Sequence, residues 1–561
     1  MIREVTNGKS TVLSREKLRG GYYTPEDISN WIADWAIQSK SDSVLEPSCG
    51  DGQMLIAAAR RLISLKASSK QIRLNLVGVE FDDVEAAASR ERLTGLLGQD
   101  FKGCVFTGDF FEWSATNQTK FDAIIGNPPF IRYQNFPEPH RARAMHLMKA
   151  KGLSPNRLTN IWVPFVVASI HLLREGGRLG FVLPAELLQV SYAAQLREHL
   201  TSHFRSIEIV ACNELMFQNA EQEVLLVLAS GRCELPTETS RVSICETHSR
   251  QEITNSLPEA LLKRAEQKIV AHDSEKWLKY FLSAKEIAFM RELRASPEIS
   301  PLSKHASVDV GVVTGNNDFF VLTQEQVSTR NVPTHTVRLI SRSAQLKGAR
   351  ISSKDWVKLS NSGDRVYLLD LKSVHEMEMD SPLREYIQHG EANKVHLGYK
   401  CSIRNSWFAV PSVWSPDGFL LRQIHDFPRL VHNEAGATST DTIHRVTYHS
   451  RPETVVSNTY TWLFAASAEI EGRSYGGGVL ELEPTEAERL LMPSKPNGAM
   501  PLPEADQLIR DGKLEDVLAF NSKTVLSEHL GLSQREAFML RDIWTKMKER
   551  RMARRRKRTA A

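Results

Sequence analysis

Residues 121–133 read FDAIIGNPPFIRY. An apolar run with the makings of a buried strand stops at Gly126 and is followed at once by Asn127, Pro128, Pro129 and Phe130. A strand needs no such ending for its own stability. Two prolines in succession restrict the backbone around the asparagine, so the segment reads as a strand that delivers a rigid, half-polar corner to its carboxyl end.

The same grammar recurs on both sides. SVLEP (43–47) precedes the helical GQMLIAAARRLISL, and LNLVGVEF (74–81) precedes DDVEAAASRERLTGLL. CVFTGDFF comes next, then the corner itself, then the helical IWVPFVVASIHLLREGG and RLGFVLPAE. The helical SYAAQLREHLTSH and the runs IEIVACNE and EVLLVLAS close the series near residue 230. Near-continuous apolar strands alternating with helices predict an α/β fold, a Rossmann-like, mainly parallel sheet with helices on both faces. Ligands of such sheets bind beyond the carboxyl ends of the strands.

Past residue 250 the character changes. Residues 256–300 look helical and charged, 308–485 read as short β-like runs broken by Gly, Asn, Ser and Pro, and helices return from about 503. The expected division is a catalytic domain over 1–255, a mixed α+β recognition domain over 256–500, and a C-terminal helical segment with a basic tail over 501–561.

The chain has 561 residues, 41% of them apolar and 25% charged, the balance of a globular protein with real cores. No apolar run reaches the roughly 18 residues of a membrane helix, and MIREVTNGKS lacks the apolar core of a secretory signal. The six cysteines form no CxxC pair, which fits reduced thiols in a cytoplasmic protein and no metal site. Net charge is +4, but RRMARRRKR (550–558) carries seven positive charges and leaves −3 for the rest. That tail is either a solvated end or a contact for nucleic-acid phosphates.

The residues after each strand carry the chemistry. EPSCGDG (46–52) supplies Glu46, Pro47, Ser48 and Gly50 at a glycine-containing turn that opens a helix. Its spacing is neither the dinucleotide fingerprint nor a phosphate loop. Glu80 ends the second strand, where an acid accepts hydrogen bonds from ribose hydroxyls, whereas Asp82 and Asp83 suit the dipole of the following helix. Asp109 ends the third. Acids at three successive strand ends suit a ligand with an amine, a ribose and an adenine but no phosphate, which describes S-adenosylmethionine. Upstream, GGYYTPEDISNWIADWAI (20–37) starts a helix with Thr24 as expected N-cap, Pro25 at its first position, and Ile28, Trp31, Ile32 and Trp35 on one apolar face.

The corner now has a use. An adenine amino group is a poor nucleophile because its lone pair is delocalised into the ring. Acceptors for both amine hydrogens would turn that lone pair toward a sulfonium methyl, and the Asn127 side-chain oxygen with the Pro128 carbonyl can supply both, preorganised by Pro128 and Pro129. Phe130 can stack on an extruded base.

These motifs, in the order GYYTP, EPSCGDG, GVEF, GDFF, NPPF, resemble the γ-class DNA adenine-N6 methyltransferases, the TaqI-methylase-like modification enzymes of type II restriction-modification systems. The resemblance covers about residues 20–230. It implies that Thr24 and Glu46 face the methionine end of the cofactor, that Tyr23 also belongs to the cofactor site, that Glu80 holds its ribose, that Phe81 and Phe110 wall its adenine, and that Asp109 bonds the adenine amine. Asn127, Pro128, Pro129 and Phe130 would form the target-base corner. NELMFQNAEQEVLLVL (213–228) resembles the family's late motif and would place Phe217 against the flipped base. Double-stranded DNA is the implied partner, with a separate cognate restriction endonuclease as functional partner.

The stretch RYQNFPEPHRARAMHLMKAKGLSPNRLTN (132–160) reads as a long basic loop. Arg132, Arg141, Arg143, Lys149, Lys151 and Arg157 are its candidate phosphate contacts. TGNND (314–318), NSWFAV (405–410) and TSTDTIHRV (438–446) are candidates for reading base edges. Three alternatives stay open: the same fold acting on cytosine N4, on RNA or on a protein glutamine. A fourth, from another class, is a DNA-binding protein with a vestigial cofactor pocket. The absence of any Pro-Cys step argues against cytosine-C5 chemistry.

Overall fold

The computed structural model describes residues 3–6, 9–12, 23–98, 102–214, 216, 223–271, 275–374, 379–475 and 477–553. The chain divides into two compact units that meet in sequence between Ala284 and Lys285.

The first unit begins with a hairpin, β1 (Arg3–Thr6) and β2 (Lys9–Val12), and helix α1 (Glu26–Ala36). Then come β3 (Val44–Glu46), α2 (Gln53–Ser64), α3 (Ser69–Asn75), β4 (Leu76–Glu80), α4 (Asp83–Leu97), β5 (Val105–Thr107), α5 (Phe110–Thr116) and β6 (Phe121–Gly126). Helices α6 (His140–Ala150) and α7 (Trp162–Leu172) lead to β7 (Leu173–Pro184), and α8 (Ala194–His203) to β8 (Phe204–Cys212). β9 (Val224–Arg232), β10 (Thr239–Thr247), α9 (Arg250–Thr254), α10 (Pro258–Leu262) and β11 (Lys268–Ala271) complete it.

Nine strands form one sheet in the order β11-β10-β8-β9-β7-β6-β3-β4-β5. All run the same way except β9, antiparallel to both β7 and β8, and β11, antiparallel to β10. The order reverses between β3 and β6, so the crevice that such a sheet offers to a ligand opens at their carboxyl ends. Both faces of the sheet are buried. On β6, Ala123 and Ile125 join a cluster with Ile28 and Ile32 of α1 and Leu55 of α2, while Ile124 between them is fully buried on the other side.

Three expectations change. Residues 268–271, expected within a charged helical stretch, form the edge strand β11, because Ile269 pairs with Arg241 and Val270 with Ser240. The basic loop contains the eleven-residue helix α6. Thr24 does not cap α1: Pro25 is the N-cap residue, without a side-chain cap bond, and Thr24 is buried instead. Ile28, Trp31, Ile32 and Trp35 are buried as the helical spacing predicts.

The second unit mixes small sheets with helices. A five-stranded sheet comprises Ala306–Asp309, Ile443–Tyr448, Gly418–Leu421, Leu430–Glu434 and Arg350–Ser352 in that order. Helices Ser353–Asn361, Ser381–Ala392, Pro452–Thr459 and Trp462–Glu471 fall where β-like runs are expected, each built around a buried apolar or aromatic face. In the candidate base-reading segments some side chains are held within the fold, while Asn317, Asp318, Asn405 and Thr442 are exposed. His444 is fully buried and faces the Leu482 carbonyl oxygen at 2.6 Å; Arg445 is buried with its guanidinium 4.4 Å from the Trp414 ring. Trp407 packs on Phe319, and Asn316 caps the turn Asn317–Phe320. The final helix, Gln534–Ala553, includes the start of the basic tail; its Arg551 is buried in an ion pair with Glu469 at 2.6 Å, while residues 554–558 lie outside the described residues. No described helix is long and apolar enough to cross a membrane.

Candidate active site

The carboxyl ends of β3, β4, β5 and β6 surround one pocket of about 320 Å³. Glu46 ends β3, Glu80 ends β4, Asp109 follows β5, and Asn127 follows β6. Parallel strands in register deliver these side chains to one edge.

The turn after β3 is built by hydrogen bonds to its neighbour. Cys49 N–H donates to the Val79 carbonyl at 3.0 Å, and Gly50 N–H donates to Glu80 Oε2 at 2.8 Å. Glu80 Oε1 accepts from Asp82 N–H at 2.9 Å. Gly52 has φ +85°, and a Cβ there would lie 2.4 Å from Ser89 Oγ, so glycine is required both by conformation and by the close approach of α4.

Glu46 is 4% exposed, and its Oε2 has no hydrogen-bond partner among the described residues. Burial, then the charges of Asp51 and Glu80, push its carboxyl well above the usual range. Burial also raises Glu80, against the pull of the amides that bond it. Nearby, Arg92 donates to Asp51 Oδ2 and to Gln53 Oε1, both at 2.5 Å, and the buried Gln53 Nε2 is left without a partner. One wall of the pocket therefore presents a buried acceptor and a buried donor with nothing to bond.

The opposite wall is aromatic. Phe81 is 61% exposed and meets the His140 ring edge-on, with centroids 4.7 Å apart. Phe110 is buried and stacks on Phe165 at 5.1 Å and 10°. Asp109 caps α5 by accepting from Phe111 N–H at 2.8 Å, and its other oxygen lies 2.8 Å from His140 Nδ1 and 3.0 Å from Arg143 Nη1. Asp82 caps α4 through Val84 and Glu85, as a dipole role predicts.

Tyr23, Thr24, Pro47, Ser48, Gly50 and Pro129 also line the pocket, beside the acids, Phe81, Phe110 and Asn127. Pro128 is buried and does not line it; Phe130 is half-buried and packs against the core cluster beneath α1 and α2. Phe217 lies outside the described residues. The six basic candidates part company. Arg141 pairs with Glu138 at 2.8 Å and covers the Tyr133 ring, and Arg143 bonds Asp109 and Glu112. Arg132, Lys149, Lys151 and Arg157 are exposed. Lys151 acts electrostatically on His171 and His199, at the amino end of β7 and away from the pocket.

Sequence reasoning passed over Gln53, His140 and Phe165, which also line the pocket. Gln53 stands at the first position of the helix after the glycine turn, a signal that could have singled it out. His140 and Phe165 reach the pocket from α6 and α7, and nothing in their local sequence announces it.

The model of the N-6 DNA Methylase family matches residues 11–300, and that of the C-terminal domain of the type II methyltransferase M.Eco57I matches residues 274–526. The type II methyltransferase M.AccI of Acinetobacter calcoaceticus is 23% identical over 516 residues, covering 86% of this chain and 87% of its own. M.XamI of Xanthomonas campestris pv. amaranthicola is 23% identical over 496 residues, covering 85% and 86%. Among solved structures, the type IIL restriction-modification enzyme MmeI in complex with DNA shares the fold at 12% identity and a TM-score of 0.53, over 94% of this chain and 71% of its own. With just over half its length matched by the family model, the chain belongs to the N-6 DNA methylases.

Proposed function

We propose that the pocket holds S-adenosylmethionine and that the corner after β6 presents to it the N6 amine of an adenine swung out of duplex DNA. The observation that carries this reading is the convergence of Glu46, Glu80, Asp109 and Asn127, from four adjacent strands, on one pocket. The orphaned Glu46 Oε2 and Gln53 Nε2 fit the two ends of an amino acid: an ammonium would satisfy the carboxylate and a carboxylate the amide N–H. Glu80 would accept from ribose hydroxyls, with Phe81 and Phe110 bracketing the adenine and Asp109, held by His140 and Arg143, facing its amine.

When bound, the cofactor supplies an electrophilic methyl on a sulfonium. Asn127 Oδ1 and the Pro128 carbonyl accept the two amine hydrogens and orient the lone pair. Transfer would form the C–N bond as the C–S bond breaks, releasing the demethylated thioether, and one amine proton would leave by way of those acceptors to water. Phe130 and Phe217 would stack on the base. The region expected over 256–500, most of which lies in the unit beginning at Lys285, would recognise the target sequence, and a separate endonuclease would cut the unmodified site.

The test is transfer of labelled methyl from S-adenosylmethionine to genomic DNA lacking adenine methylation, followed by nucleoside analysis, beside N127A. Label in N6-methyladenine that disappears with N127A supports the assignment. Label in N4-methylcytosine would overturn the target base, and no label in DNA would overturn the substrate.

A further inference from the structure

Three histidines meet at the edge of the sheet opposite the pocket. His171 is next to last in α7, and His199 and His203 stand one turn apart on α8. β7 starts at Leu173 and β8 at Phe204, so the cluster lies at the amino ends of these strands. One ring nitrogen from each histidine can be chosen so that all lie within 4.8 Å of one another, and they form the one such group of three among the described residues. Ring centroids are 4.1, 5.3 and 5.5 Å apart.

The hydrogen bonds sort the nitrogens. His203 Nδ1 lies 2.8 Å from the His199 carbonyl, so Nδ1 donates and Nε2 carries the lone pair. Metal-bound imidazoles are held this way, the second nitrogen donating to a carbonyl that fixes ring and tautomer. Nε2 of His171 and Nε2 of His199 are buried without a partner among the described residues. Single orphaned ring nitrogens also occur on His396, His432 and His444; what sets this cluster apart is that two of them belong to one group of three histidines whose donor atoms approach within 4.8 Å, which a shared cation would satisfy.

We propose that His171, His199 and His203 bind a divalent transition-metal ion of the zinc type through three imidazole nitrogens, with water in a fourth position, clasping the ends of α7 and α8. Imidazole ligands suit zinc, and two histidines four apart on one helix face are a common half of such sites. Zn–N bonds of about 2.0–2.1 Å in a tetrahedron put the nitrogens roughly 3.3 Å apart, within reach of small ring rotations. The charged groups around the cluster oppose a cation. Lys151 and Arg232 act on His171, and Lys120 Nζ bonds its carbonyl; Glu234, 3.6 Å from Arg232, offsets part of this. Burial, then Lys151, lowers His171 to about 3, and burial, then His203 and Lys151, lowers His199 to about 3, so both rings are neutral at pH 7. A metal must overcome the same repulsion, but with three nitrogen bonds where a proton makes one.

The test uses the untagged full-length chain, stripped with a chelator and titrated with cobalt(II) and zinc(II). Visible d–d bands of tetrahedral cobalt, saturating at one equivalent and displaced by zinc, are expected. Zinc at 100 times its Kd should raise the melting temperature of the first unit by about 5 °C or more. H171Q and H199Q should reduce bound zinc from one per chain to about a tenth or less while retaining cofactor binding. Absence of cobalt bands in the wild-type chain overturns the proposal without any variant, and so does zinc content unchanged in both variants.

Discussion

Asp109 Oδ2 lies 2.8 Å from His140 Nδ1, and the same histidine ring meets Phe81 edge-on at 4.7 Å. One side chain of α6 thus ties the acid at the end of β5 to the aromatic just past β4, the two groups assigned to the cofactor's adenine. H140A should raise the Kd for S-adenosylmethionine about 10-fold, the effect of one lost hydrogen bond to a charged group. Arg143 still bonds Asp109 at 3.0 Å and anchors it, so kcat at saturating cofactor should stay within about 3-fold of wild type. Calorimetric titration and steady-state kinetics separate the two effects, and an unchanged Kd would remove His140 from the site.

The corner makes a sharper demand. If Asn127 acts by accepting an amine hydrogen, its oxygen matters more than its nitrogen. N127A should lower kcat by about 10²–10³, the usual effect of removing a group that acts at the transition state. N127D keeps an acceptor in the same place and should retain more activity than N127A. Single-turnover methylation of a fully paired duplex reads this directly. Equal loss in both variants would point to the amide N–H instead.

These assignments differ in how they could be reached. Strand ends are legible because a buried parallel strand is a continuous apolar run, and the residue that stops it, Glu46, Glu80 or Asn127, stands at the carboxyl edge by construction. Gln53, His140 and Phe165 come from helices whose placement depends on long-range packing. Thr24 misled for a local reason: Thr-Pro before an amphipathic run satisfies every capping rule, yet the chain enters α1 at Pro25 and turns the threonine inward. His199 and His203 show helical spacing in the sequence, but only the fold brings His171 to them. In the second unit, Gly- and Ser-rich punctuation hid helices such as Trp462–Glu471, which is buried along its whole length and so lacks an amphipathic pattern.

Glu46 should cost the ligand-free protein stability. Its folded carboxyl titrates well above the usual range, chiefly through burial. In the unfolded chain it ionises at its ordinary value, so between the two values the folded state holds the extra proton. Stability then falls as pH rises, from no penalty below the ordinary carboxylate range to the full penalty above the raised value. Glu80 shifts in the same direction. E46Q removes the charge and keeps the shape. Without cofactor it should melt about 2–4 °C above wild type at pH 8 and level with it at pH 4, a gain of about 1 kcal/mol. With S-adenosylmethionine the order should reverse at pH 8, because the variant has lost its counter-charge for the ammonium. Thermal melts at the two pH values, with and without cofactor, decide it.

Arg551 tests the start of the basic tail. Its guanidinium is 2% exposed and bonds both carboxylate oxygens of Glu469, itself 4% exposed. R551A would strand a buried carboxylate, costing about 3–5 kcal/mol. R551M/E469L removes both charges and should recover more than half of that loss. Chemical denaturation of the three proteins gives the comparison. A loss below about 1 kcal/mol in R551A would return this arginine to the solvated tail.

The remaining exposed cations allow the DNA path to be mapped by salt dependence. Arg132 is exposed two residues beyond Phe130, whereas Lys151 stands with the histidine cluster near the amino ends of β6 and β7. Each phosphate contact contributes about 0.9 to the slope of log K against log salt. R132A should therefore reduce the magnitude of the slope by about 0.9, and K151A should leave it unchanged. Binding of a fluorescent duplex between low and moderate salt measures both. A drop with K151A and none with R132A would mean that DNA approaches the opposite edge of the sheet, away from Asn127. Because a base can be methylated only where the corner can reach it, that outcome would contradict the base-flipping geometry itself and not merely the choice of a contact.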